Sequence, residues 1–237
     1  MTGQLSYCIA LQEAVLCGGR ELSDMVLIRD LAMAGIVALI ALAGAVSAPR
    51  LPAELAIHFD AAGEPDNYAG KAVVLAGSVL FAAGFAALFA VLPRIDPLGE
   101  NFAEFQTAYD GFAVGTLAFL AYIHGLVLAY NLGFEFGMLQ ATAPAIAGLY
   151  LLLALLLRRA EQNWFVGIRT PWTLSDERVW DRTHERTAPL FAVAALCALA
   201  AAVVPEYALV LLVGPVTAIA LASTVYSFVL YRRLNHA

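Results

Sequence analysis

"AVVLAGSVLFAAGFAALFAVL", residues 72–92, runs for 21 positions without one charged side chain. A helix rises 1.5 Å per residue, so a run of this length crosses the roughly 30 Å of a bilayer's hydrocarbon. Its apolar residues are continuous, not alternating, which reads as a helix and not as a barrel strand. Five further runs of the same kind lie at 28–47, 112–130, 138–157, 188–204 and 208–230, the first and fifth with the softest ends.

The whole chain agrees with this reading. Of its 237 residues, 62% are hydrophobic and 14% charged, where a soluble domain is nearer half and a quarter. There is too little polar surface to coat a soluble fold, so the bilayer is the solvent. The expected fold is all-α: a polytopic membrane helical bundle of about six transmembrane helices, one membrane domain over 25–237, multi-pass in the cell membrane.

Lys and Arg set the orientation. With the N-terminus inside, inner segments hold Arg20, Arg94, Arg158, Arg159, Arg169, Arg178, Arg182, Arg186, Arg232 and Arg233, while outer loops hold Arg50 and Lys71. Both termini are therefore expected in the cytoplasm. The net charge of −6 offers no basic face for nucleic acid. Cys8, Cys17 and Cys197 show no paired spacing, so neither a disulfide framework nor a zinc site is expected. Residues 1–24 lack the basic start and clean apolar stretch of a signal peptide. They read as upstream sequence before a start at Met25, or as an amphipathic tail.

Two loops carry most of the polar patterning. In the outer one, Pro49 and Pro52 end the first helix and favour an extended path. "HFDAAGEPDNYAGK" then gathers His58, Phe59, Asp60, Gly63, Glu64, Asp66 and Lys71 around turn chemistry. Three readings fit: a turn braced by His58, a peptide-recognition element, or a cation site formed by carboxylates and imidazole. No known metal-loop spacing is present.

The inner loop between helices four and five contains "NWFVGIRTPWTLSDERVWDRTH", residues 163–184, with all three tryptophans of the chain: Trp164, Trp172 and Trp180. Asn163, Gly167, Arg169, Thr170, Pro171, Trp172 and Thr173 form its first half. Ser175 is the expected N-cap of a following helix, with Asp176 and Glu177 in the first turn. Four-residue spacing then places Glu177, Asp181 and Glu185 beside Arg178, Arg182 and Arg186, with Arg178–Asp181 and Arg182–Glu185 pairs. Trp180 and His184 fall on another face, expected to pack on the bundle or on the Trp172 cluster. This concentration of aromatics reads as a folded cap that either braces the helices or binds a partner.

A third segment, "NFAEFQTAYDGF", spaces Phe102, Phe105, Tyr109 and Phe112 as an interfacial amphipathic helix capped by Asn101 with Glu104. Arg29 and Asp30, at the inner end of the first helix, reach headgroups or each other. Within the membrane His124 is the only imidazole: either neutral and hydrogen-bonded to a neighbouring helix, or functional. Pro144 and Pro215 are candidate kinks, and Gly111 and Gly115 a weak close-contact motif. Nothing forms a catalytic set or a cofactor motif.

"LPAELAIHFDAAGEPDNYAGK", "PRIDPLGENFAEFQTAYDGF" and "NWFVGIRTPWTLSDERVWDRTH" together resemble the SdpI-type family of bacterial and archaeal integral membrane proteins, the first resembling a domain of unknown function in their N-terminal half. The tail before Met25 departs from that pattern. The resemblance implies an immunity and signalling role, in which the protein protects the cell from a secreted toxic peptide and draws a repressor to the membrane. On this reading the outer 58–71 stretch meets the peptide and the inner 163–184 loop the cytoplasmic partner. The alternative is a small transporter or permease, motivated by His124 and by long loops on opposite faces of two three-helix halves, the layout of an inverted repeat.

Overall fold

The computed structural model describes residues 2–235, and the side chains of residues 25–235. The expectations for residues 1–24, Cys8 and Cys17 among them, concern side chains outside that set. In chain order the elements are α1 (Thr2–Ser47), β1 (Glu54–Phe59), β2 (Pro65–Gly70), α2 (Lys71–Ile95), α3 (Phe102–Asn131), α4 (Met138–Leu157), α5 (Pro171–Ser175), α6 (Glu177–Ala201) and α7 (Ala208–Asn235). Single 3₁₀ turns, Gly99–Asn101 and Pro205–Tyr207, lead into α3 and α7.

Among the described residues, five helical segments are long and apolar enough to cross a membrane: Met25–Ser47, Lys71–Ile95, Gly99–Asn131, Met138–Leu157 and Pro205–Asn235. They expose large apolar side chains such as Leu31, Leu80, Leu155 and Val225, each at least 60% open. Only a hydrocarbon solvent makes that favourable. The chain is thus an all-α, multi-pass membrane bundle.

The sixth expected span differs in form. It is the second part of α6, whose first turns carry Glu177, Arg178, Asp181, Arg182, Glu185 and Arg186. Its helix stops at Ala201, leaving an apolar stretch too short to qualify by itself. It still runs antiparallel beside α4. Ala195, Ala198 and Ala201 pack with Ala143 and Ala147 near the start of α4 and with Ala208 and Leu212 of α7. Ala188 and Phe191 pack with Leu157 at its end. Alanine seams let helix backbones approach closely where lipid supplies no hydrophobic drive.

α1 packs on α2 and α3, and α3 on α4. Gly115 makes the α3–α4 contact possible, because a Cβ there would lie 2.2 Å from Leu152 Cδ1; Gly111 faces open space. α4 and α7 continue through Pro144 and Pro215, and the break in helical dihedrals lies instead at Phe105 (φ −123°, ψ 20°).

The third segment is also corrected. Phe102, Phe105 and Tyr109 are buried, so they are core and not an interfacial face. Phe102 and Tyr109 meet edge to face at 5.1 Å, and the Tyr109 hydroxyl donates to the Phe89 carbonyl of α2 at 2.7 Å. Asn101 makes no side-chain cap.

Candidate functional site

The bundle carries one folded element at each end. α3 joins them, since its Phe102 end meets the 158–177 connection and its Asn131 end meets the β1–β2 hairpin. At 1.5 Å per residue its 30 residues separate the two by about 45 Å.

An extended path with turn chemistry was expected here, but not a pair of strands. β1 and β2 pair antiparallel, Glu54 with Gly70, Leu55 with Ala69 and Ala56 with Tyr68, before the register slips near His58. Asp60 builds the turn: its Oδ1 accepts from the Ala62 and Glu64 amides at 2.8 and 3.0 Å, and Gly63 takes φ +86°, a region that favours glycine. Phe59 meets Tyr130 of α3 edge to face at 4.7 Å. Lys71 Nζ donates to the carbonyls of Ala48 and Leu51 at 3.0 and 3.1 Å, satisfying groups beyond the end of α1. Asp60, Gly63, Phe59 and Lys71 therefore hold the hairpin in shape. His58 and Asp66 stay open to solvent, paired at 2.5 Å. Among the described residues no three His, Cys, Asp or Glu side chains converge as a metal-ligand group.

Asn131, which the sequence reading did not single out, docks the hairpin: its Oδ1 accepts from Ala56 N–H at 2.8 Å and its Nδ2 donates to the Ala56 carbonyl at 3.1 Å.

At the opposite end, 163–184 folds into a cap. Asn163 is fully buried. Its Oδ1 accepts from the Phe165 and Val166 amides at 2.9 and 2.6 Å, and its Nδ2 donates to the Glu161 and Val166 carbonyls at 2.9 Å. Asp96, after α2, accepts from the Trp164 amide at 2.8 Å, and Asn101 Nδ2 donates to the Gln162 carbonyl at 2.7 Å. That amide is how Asn101 is used. Arg169 donates to the Trp164 carbonyl at 2.7 Å.

Trp180 and His184 form the inner face, as their spacing predicts. Their rings stack at 4.1 Å, and Trp180 Nε1 donates to the Ala160 carbonyl at 2.8 Å. His184 Nδ1 lies 2.8 Å from the Trp180 carbonyl while its Nε2 accepts the Ile168 amide at 2.9 Å. Those partners fix a neutral ring protonated at Nδ1, and burial pushes its pKa down to about 4. Gly167 makes room for the ring: at φ +119°, a Cβ there would sit 2.5 Å from His184 Nε2.

The capping residues are not the expected one. Thr170 and Thr173 exchange hydrogen bonds in a capping box that starts α5, with Pro171 in its first turn. Asp176, not Ser175, caps α6; the Ser175 hydroxyl instead donates to the Trp172 carbonyl at 3.2 Å. Arg178 pairs with Asp176 at 2.8 Å in place of Asp181. Hydrogen bonds from Arg178 and from Asn235 of α7 hold the Asp176 carboxyl far below its usual range. Thr170 meets Ser227 at 3.1 Å and Trp172 meets Phe228 at 4.9 Å, so the cap is bound to α7 as well. Beside it, Arg158, Glu161, Asp181, His184 and Glu185 line an open groove of about 940 Å³. Burial, then neighbouring carboxylates, raise the pKa values of Glu161 and Asp181.

Two polar sites lie between the ends. His124 is buried against Gly44 of α1, and its Nε2 has no hydrogen-bond partner. The ring is nevertheless hydrogen-bonded to the backbone of Ile40 on the neighbouring helix α1. Arg29, also buried, bonds Asp30 at 2.7 Å and Asp110 of α3 at 3.1 Å, while Gln106 donates to Asp110 at 2.7 Å. Arg29 thus reaches into the bundle and not toward headgroups.

The SdpI/YfhL protein family matches residues 159–227, which hold the cap, α6 and most of α7. A domain of unknown function (DUF1648) matches residues 35–82, which hold the end of α1, the hairpin and the first half of α2. The immunity protein SdpI of Bacillus subtilis (strain 168) is 29% identical over 130 residues, covering 50% of this chain and 62% of that protein, under two thirds of its length. No solved structure matches. Each matched segment contains one of the folded end elements, and the chain is a multi-pass membrane protein similar to the SdpI type.

Proposed function

We propose that this chain is an immunity-type membrane protein whose hairpin faces outward and meets a secreted toxic peptide, while its cap faces the cytoplasm and meets a repressor protein. The observation that carries the reading is the placement of two ordered polar elements at opposite ends of one helix, each tied to it by an asparagine: Asn131 to the hairpin, Asn101 to the cap. The arginine bias supports the orientation, since Arg94, Arg158, Arg159, Arg169, Arg178, Arg182 and Arg186 all lie at the cap end. The named relative supports the immunity class. Within the hairpin, His58 and Asp66 are the exposed recognition candidates. On the cap, the charged face of α6 is the docking candidate for the inner partner.

The test is survival. Toxin-sensitive cells expressing the chain are challenged with membrane-active peptides encoded beside its gene. Protection is expected, and its absence against every such peptide overturns the immunity reading. A transporter reading rests on His124, buried with its Nε2 lacking a hydrogen-bond partner. Uptake of candidate solutes into proteoliposomes that falls on His124→Ala substitution would favour it instead.

A further inference from the structure

The hairpin has two outer edges, and they are not equivalent. Ala56 and Tyr68 face each other across the ladder. The adjoining Lys71 amide bonds the Ala53 carbonyl at 2.8 Å, which sets the phase of the ladder. Counting from it, Ala56 and Tyr68 form a non-hydrogen-bonded pair, so the main-chain groups of both point away from the partner strand. On the β1 edge those groups are taken by Asn131. On the β2 edge no described residue takes those of Tyr68. Tyr68 is itself 54% exposed, and Asp66 and Asn67 beside it are also open.

An open strand edge is a template for another strand. Its charge selects the occupant. Glu54, Glu64 and Asp66 are exposed on the hairpin, whereas its one lysine, Lys71, is turned back onto the end of α1. We infer that the β2 edge captures an extended, cationic peptide segment by strand addition, with main-chain hydrogen bonds at Tyr68 and with Glu64 and Asp66 facing the peptide's Lys or Arg side chains. This deepens the proposed function and rests on it: recognition proceeds through the peptide's backbone, with the carboxylates choosing charge.

The experiment uses the full chain in nanodiscs of zwitterionic lipid and a fluorescent peptide of alternating Lys and Val, read by anisotropy. Binding is expected for this probe and not for its Glu–Val counterpart. Methylating alternate backbone nitrogens on the peptide edge that faces the protein is expected to weaken binding about tenfold, because the bond to the Tyr68 carbonyl is lost and the methyl groups obstruct the edge; the protein is untouched in that arm. Tyr68→Pro removes the edge donor and is expected to do the same, while Tyr68→Ala retains binding.

Binding that survives both backbone changes but falls with Glu64→Gln and Asp66→Asn overturns strand addition and leaves side-chain recognition. No binding of any peptide overturns the inference. Equal binding to empty nanodiscs assigns the signal to lipid, and doubling of the particle mass without peptide assigns the edge to a second copy of the chain; either overturns it. The survival assay fails or succeeds independently, so loss of the immunity reading is told apart from loss of this one.

Discussion

Asn131 holds Ala56 by both of its main-chain groups, accepting the N–H at 2.8 Å and donating to the carbonyl at 3.1 Å. The two residues are 75 positions apart, and through them a surface hairpin becomes part of the helix bundle.

Asn131→Ala is expected to release the hairpin without unfolding the helices. Two hydrogen bonds at about 1 kcal/mol each are lost. Hydrogen exchange over residues 54–70 rises roughly tenfold or more on that scale, while the helical circular dichroism stays unchanged. Unaltered exchange shows that β1 and β2 stand without this anchor.

Gly167→Ala is expected to open the cap. The substitution places a side chain at φ +119° and drives it into the His184 ring. Backbone strain and overpacking together cost about 2–4 kcal/mol. All three tryptophans lie in residues 164–180, so their emission reports this region, and a red shift is the expected signal. An unshifted spectrum with unchanged melting refutes it.

His184 gives the cap an acid limit. Its folded pKa, about 4, lies below the ordinary 6.5, so the unfolded state binds the extra proton between those values. Stability from this group is complete above pH 6.5 and falls progressively toward pH 4, by about 3 kcal/mol in total. Melting temperature followed by tryptophan emission should decline across that window. In His184→Gln, which is less stable at neutral pH, the decline should flatten. A slope that persists in the variant assigns it to other groups.

Arg29 and Asp110 test the buried pair between α1 and α3. Arg29→Ala strands the Asp110 carboxylate, whose Oδ2 already has no partner, and is expected to cost about 3 kcal/mol or more. Arg29→Met with Asp110→Leu removes both charges and should recover most of that loss in denaturant titrations. Additive losses show that the pair is not coupled.

The bundle was legible because lipid leaves backbone groups no partner except helix, and that demand writes itself as long apolar runs. The Trp180–His184 face was legible from its four-residue step. The hairpin was not: β2, "PDNYAG", has few strand formers, and what secures it is a side chain on another helix. The cap of α6 was misplaced by one residue. Ser175 and Asp176 are both good caps, and the choice fell to the one that also engages Arg178 and Asn235. Arg29 and Asp110, on different helices, have no sequence pattern that joins them.

The break at Phe105 lies one turn beyond Asn101. A straight rod clamped at both ends would pass a tilt of the hairpin directly to the cap. With a joint so near one clamp, a tilt of the long arm from Phe105 to Asn131 would be taken up as rotation at the core of Phe102, Phe105 and Tyr109.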